Sequence, residues 1–139
     1  MQLIGKLIHT VDIKLKRRID ALATEFDLTA VQFFVMERIY IAAEKGDVFQ
    51  RDLEAAMDVR RSTISNILGL LEKKGYVQRE SVSEDARLKK LILTPAGKQV
   101  YKDFKAHLSH SESQALSCLS PDEIDVLTAL LTRLAESIR

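Results

Sequence analysis

Residues 50–76, QRDLEAAMDVRRSTISNILGLLEKKGY, carry the pattern that most constrains this chain. Leu53, Ala56 and Met57 share one face of a short helix. After a turn of about three residues, Ile64, Ile67, Leu68 and Leu71 share one face of a second helix. Two short amphipathic helices so closely joined must cross and bury their apolar faces together, which is a helix-turn-helix. The second helix carries Ser62, Ser65, Asn66, Gly69 and Lys73 on its other face, and Gly75 is a fitting stop.

Two strand-like runs follow, VQRES (77–81) and LKKLILT (88–94), separated by the polar tip SEDA. Runs rich in Val, Ile, Leu and Thr around such a tip make an antiparallel hairpin with a longer loop. A helix-turn-helix leading directly into a hairpin is a winged helix. The expected fold class is therefore mainly α with a small β-hairpin.

The flanks are helical. Ile4, Ile8, Val11, Leu15, Ile19, Leu22 and Phe26 recur at steps of three or four, giving a helix over about 3–26. Thr29 and Gln32 form a capping box, with Leu28 and Phe33 placed as its hydrophobic staple, so a second helix runs from about Ala30 to about Ala43. Val48 and Phe49 read as a short extended piece. Thr94-Pro95 opens another helix with apolar positions Val100, Tyr101, Phe104, Leu108, Ala115 and Leu119. Ser120-Pro121-Asp122-Glu123 opens the last, which carries Ile124, Leu127, Leu131, Leu134 and Ile138. The apolar stripes at both ends are long for one small core and call for a partner. The expected organisation is one integrated domain: an N-terminal dimerisation helix (1–27), a winged helix-turn-helix (28–94) and C-terminal dimerisation helices (95–139).

Composition narrows the function. The 139 residues are 46% hydrophobic and 29% charged, the balance of a soluble globular protein. No apolar run reaches membrane-spanning length, and the N-terminus lacks a signal-peptide core. A single cysteine fits a reducing cytoplasm. The net charge of +1 conceals an uneven distribution. Residues 59–105 hold eleven Lys or Arg and five Asp or Glu, against ten and fifteen elsewhere. A basic middle suits a polyanion, although a solvated charged surface has the same composition.

The chemistry of the segment fits double-stranded DNA. Arg60, Arg61 and the N-terminal amides of the second helix offer a site for phosphate. Ser62, Thr63, Ser65 and Asn66 can donate to phosphates or reach base edges, and Lys73 lies on the same outer face. Gly69 would permit close backbone approach. At the hairpin, Arg87 with Lys89 and Lys90 behind it suits a narrow minor groove.

Four blocks in order, LTAVQFFVMERI, then QRDLEAAMDVRRSTISNILGLLEKKGYVQRE, then Asp85-Ala86-Arg87, then LILTPAGKQVY, resemble the MarR family of winged-helix transcription regulators. The resemblance spans residues 28–101 by motif and the flanks by layout. It implies a homodimer whose terminal helices interlock, acting on DNA. It makes Arg61, Ser62, Thr63, Ser65 and Asn66 DNA contacts, Arg87 the wing arginine and Asp85 the residue that holds it. It also implies a small aromatic or phenolic anion as effector, with His9, Ile13, Arg17, Phe33 and Met36 lining its pocket; core packing is the alternative for Phe33 and Met36. Two positions depart from the family pattern. Ala86 stands where a base is common, and Phe49 stands where Thr or Ser usually caps the next helix, leaving that start without a side-chain cap.

Other readings are weaker. The chain has no phosphate loop, nucleophile elbow or H-E-x-x-H, and no cofactor motif, so an enzyme is not expected. His107 and His110, with Glu112 nearby, could share a helix face and serve a zinc-responsive regulator, but such spacing usually means surface or packing. Cys118 reads as a buried, inert thiol rather than a redox switch. A winged-helix interaction module that binds no DNA is the remaining alternative.

Overall fold

A computed structural model of the chain describes residues 2–57, 59–85 and 88–139. The order is α1 (Ile4–Glu25), α2 (Ala30–Ala43), β1 (Val48–Phe49), α3 (Gln50–Met57), α4 (Arg61–Lys73), β2 (Val77–Ser81), β3 (Lys89–Leu93), α5 (Pro95–Ala115) and α6 (Pro121–Ser137). The mainly helical class with a hairpin stands as expected. The hairpin, however, is part of a three-stranded antiparallel sheet in the order β1-β3-β2. Val48 pairs with Leu91 and Phe49 with Lys90, while β2 and β3 run in register from Val77↔Leu93 to Ser81↔Lys89.

Local signals fix the helix ends. Thr29 and Gln32 exchange both bonds of the capping box on α2, and Ser120 and Glu123 do the same on α6. Thr94 Oγ1 accepts from Gly97 N–H at the start of α5, behind Pro95. At the end of α4, Tyr76 N–H reaches the Leu71 carbonyl and Gly75 N–H the Glu72 carbonyl, with Gly75 at φ 77°. This Schellman closure needs a left-handed residue, which glycine supplies without strain. The corner after α1 has the same bonds, from Leu28 to Ala23 and from Asp27 to Thr24, with Asp27 at φ 52°. At the start of α3, Phe49 N–H donates to Asp52 Oδ2 at 3.0 Å. This is the return half of a capping box, from the N3 side chain to the N-cap amide; Phe49 has no side-chain oxygen for the first-turn amides.

The core joins α2, α3, α4, the sheet and the first half of α5, with the C-terminal half of α1 packed into it through Ala23. Phe33 lies at its centre, its ring centroid 5.5 Å from Tyr101 and 4.3 Å from Phe104. The first half of α1 contributes nothing to this core. Leu3, Ile4, Leu7, Ile8, Val11 and Ile13 are exposed, and α6 has no buried residue. Among the described residues, no helix is long and apolar enough to cross a membrane.

Candidate nucleic-acid interface

Helix α4 presents its polar residues outward because Ile64, Leu68 and Leu71 are completely buried on the other side. At 100° per residue, Ser62, Asn66 and Lys73 fall directly opposite that buried stripe. All three are exposed, as are Arg60, Arg61 and Thr63 around the helix start. Arg60 is the N-cap but supplies no side-chain cap, so the first-turn amides carry the positive end of the helix dipole toward solvent. Leu70, half exposed, lies beside Thr63 on one flank of this face.

The other flank belongs to Arg79, which sequence reading did not single out. It stands on β2, and its Nε and Nη2 lie 2.7 and 2.6 Å from the same Glu72 oxygen. Its Nη1 donates to Ser65 Oγ at 3.2 Å and to the Ser65 carbonyl at 3.4 Å. A β-carbon on Gly69 would sit 3.7 Å from Arg79 Nη2. Arg79 Nη2 therefore lies beside Gly69, within van der Waals reach of this flank of the helix. Ser65 is half-buried under the same guanidinium.

The wing residues divide. Lys89 Nζ reaches across the hairpin to Ser81 Oγ at 2.9 Å, and Lys90 pairs with Asp47 at 3.3 Å. Asp85 N–H donates to Ser83 Oγ at 3.1 Å, and Leu88 N–H donates to the Asp85 carbonyl. Arg87 and Ala86 lie outside the described residues.

The residues expected around an effector are not brought together within one chain. His9, Ile13 and Arg17 are exposed along α1, whereas Phe33 and Met36 are completely buried in the core. Core packing, the alternative reading for those two, is their place in the fold. A cleft of about 200 Å³ lies nearby between α1, α2 and α5, lined by Leu15, Arg18, Ile19, Phe34, Leu108, Ser111 and Glu112. Arg18 crosses it, donating to Ser111 Oγ and to the Ser111 carbonyl.

The residues weighed for metal or redox chemistry have other surroundings. His107 Nδ1 lies 2.8 Å from the Asp103 carbonyl, and its ring meets the edge of Phe26. Among the described residues no group of three or more His, Cys, Asp or Glu could hold a metal ion. Cys118 is exposed, not buried. Helix α5 ends at Ala115, so Cys118 falls in the turn before α6.

Residues 26–88 match the MarR family profile. The chain is also 32% identical to the uncharacterized HTH-type transcriptional regulator YybA of Bacillus subtilis (strain 168), over 82% of this chain and 74% of that protein. The chain belongs to the MarR family. It is a transcription regulator of the winged-helix type, and its similarity to solved MarR-family structures extends over nearly its whole length. A mutant MarR from E. coli superposes with a TM-score of 0.82 at 26% identity, covering 97% of this chain and 98% of that one. MepR of S. aureus, in a DNA complex, superposes at 0.79 and 26% identity, covering 99% and 97%. A mutant MarR from E. coli complexed with operator DNA superposes at 0.80 and 26% identity, covering 94% and 92%.

Proposed function

We propose that this MarR-family chain is a cytoplasmic, DNA-binding repressor that acts as a homodimer on a palindromic operator. The outer face of α4 carries the reading: Ser62, Asn66 and Lys73 lie in line, beside Arg60 and Arg61, opposite a fully buried stripe. In a major groove, Asn66 is suited to the paired donor and acceptor of adenine, and Ser62, Thr63 and Ser65 to base edges or phosphates. Arg60, Arg61, Lys73 and Lys89 supply phosphate contacts. Arg87 enters the neighbouring minor groove, with Asp85 holding it. The DNA complexes of the similar MepR and MarR support this reading.

The bare apolar faces of α1 and α6 support the dimer, with residues 1–27 and 95–139 forming its base and 28–94 the DNA-binding unit. An anionic aromatic effector would sit between base and winged unit. His9, Ile13 and Arg17 remain its candidates on α1; Arg18 and Phe34, beside the α1–α5 cleft, replace Phe33 and Met36. Catalysis has no part in this reading, and turnover of a small substrate by purified protein would reverse that.

Equilibrium binding to duplex DNA at several salt concentrations tests the proposal. The logarithm of affinity should fall linearly with the logarithm of salt, with a slope of about −0.9 for each phosphate contact, and specific sites should exceed bulk DNA by about a thousandfold or more. Weak binding that ignores both salt and sequence would instead identify an interaction module.

A further inference from the structure

The Ser65 hydroxyl differs from four threonine hydroxyls on the helices of this chain and is engaged by an arginine, as Ser111 Oγ on α5 is by Arg18. Thr10, Thr24, Thr128 and Thr132 each donate to the carbonyl four residues back. Ser65 makes no such bond; instead its Oγ accepts from Arg79 Nη1. Its own O–H has no acceptor among the described residues. A hydroxyl whose oxygen is engaged by a fixed donor turns its hydrogen away from that donor. Arg79 is itself fixed, since Glu72 holds Nε and Nη2 while Nη1 forks onto the Ser65 oxygen and carbonyl. Its side chain is only 21% exposed, and its charge is balanced by Glu72.

We infer that Arg79 is a positioning residue that holds Ser65 as a dedicated hydrogen-bond donor at the flank of the recognition helix. This rests on the DNA-binding reading above. Ser65 then selects an acceptor on DNA, either a base-edge oxygen or nitrogen or a phosphate oxygen. Arg79 acts through Ser65 and contributes no phosphate contact of its own. The planar fork is what makes this possible: one ammonium cannot hold Glu72 and both Ser65 acceptors in the same geometry.

The test compares the full-length chain with Arg79→Lys, Ser65→Ala and the double variant, on an operator recovered with the unaltered protein. Failure of the unaltered protein to prefer any sequence would overturn the DNA-binding reading, and this inference with it. Given a working operator, Arg79→Lys and Ser65→Ala should each weaken binding by about tenfold or less, the scale of one hydrogen bond. The double variant should lose no more than the worse single one. The salt slope should be the same in all four, because no ionic contact is removed. A base acceptor would confine the Ser65→Ala loss to one operator position, whereas a phosphate acceptor would spread it evenly over all sequences. Losses that multiply, an Arg79→Lys chain that binds normally, or an Arg79 effect that appears only as a lowered melting temperature would overturn the inference.

Discussion

Gly97 sits so close against the carbonyl of Tyr76 that a β-carbon there would overlap the Tyr76 oxygen and crowd its carbonyl and α-carbons. The same Tyr76 carbonyl accepts from Thr94 N–H at 3.0 Å, and Thr94 Oγ1 donates to the neighbouring Gly75 carbonyl at 2.6 Å. The start of α5 is thus fastened to the end of the α4 turn, where the wing begins. This seam joins the end of α4 and the start of the β2–β3 hairpin to α5. Gly97→Ala should destabilise the chain by about 1–3 kcal/mol, because backbone must move to admit the methyl group. A thermal melt reads this directly; an unchanged midpoint would contradict the contact.

Gly69 should behave in the opposite way. Its added β-carbon would meet Arg79 Nη2 at an ordinary 3.7 Å, and it occupies a helix interior. Gly69→Ala should raise stability by up to about 1 kcal/mol through helix propensity alone. Operator affinity should be unchanged, because Arg79 lies beside this position. A large loss of affinity in a stably folded variant would show that DNA approaches the helix there after all.

The exposed face of α6 offers a third test. Leu127 and Leu131 are 39% and 44% exposed, and the helix has no buried residue. Aspartate at both positions should leave the helical content of each chain nearly intact while weakening dimerisation by at least about tenfold, since burying the exposed two-fifths of each leucine contributes roughly 0.6–1.2 kcal/mol. Sedimentation at several concentrations measures it; an unaltered association constant would move the interface elsewhere.

Tyr101 makes an alkaline prediction. Its buried hydroxyl lies 3.3 Å from Glu37 Oε2 and 3.2 Å from Lys105 Nζ. Burial, before any other cause, raises the phenol above its ordinary value, and the bond to Tyr101 raises the Lys105 ammonium likewise. Both groups hold their protons more tightly folded than unfolded. Their stabilisation is therefore complete below about pH 10 and lost as pH climbs through the folded values. Denaturant midpoints measured from pH 8 upward should fall above about pH 10, and Tyr101→Phe should flatten that decline. An equally steep decline in the variant would assign it to other groups.

Most helix boundaries were legible because their signals are local. Thr29 with Gln32, Ser120 with Glu123, Thr94 before Pro95 and Gly75 after Lys73 each specify an end within a few residues. What escaped depends on partners distant in sequence. Two residues, Val48 and Phe49, have no period to announce that they pair with β3. Arg79 looked like one more strand residue, because its bond to Ser65 exists only once β2 is packed beside α4. Cys118 is exposed because α5 stops at Ala115, which leaves it in the turn before α6. Position along the chain points Phe33 and Met36 to a pocket, but their burial depends on how α2 is enclosed by its neighbours.

Selection of bound sequences from random duplex DNA by the unaltered protein tests the central claim most directly. The account predicts recovery of a palindrome with half-sites about one helical turn apart, roughly 10 bp centre to centre, as two-fold related α4 helices in successive major grooves require. Recovery of no shared sequence, or of a single asymmetric half-site, would contradict it.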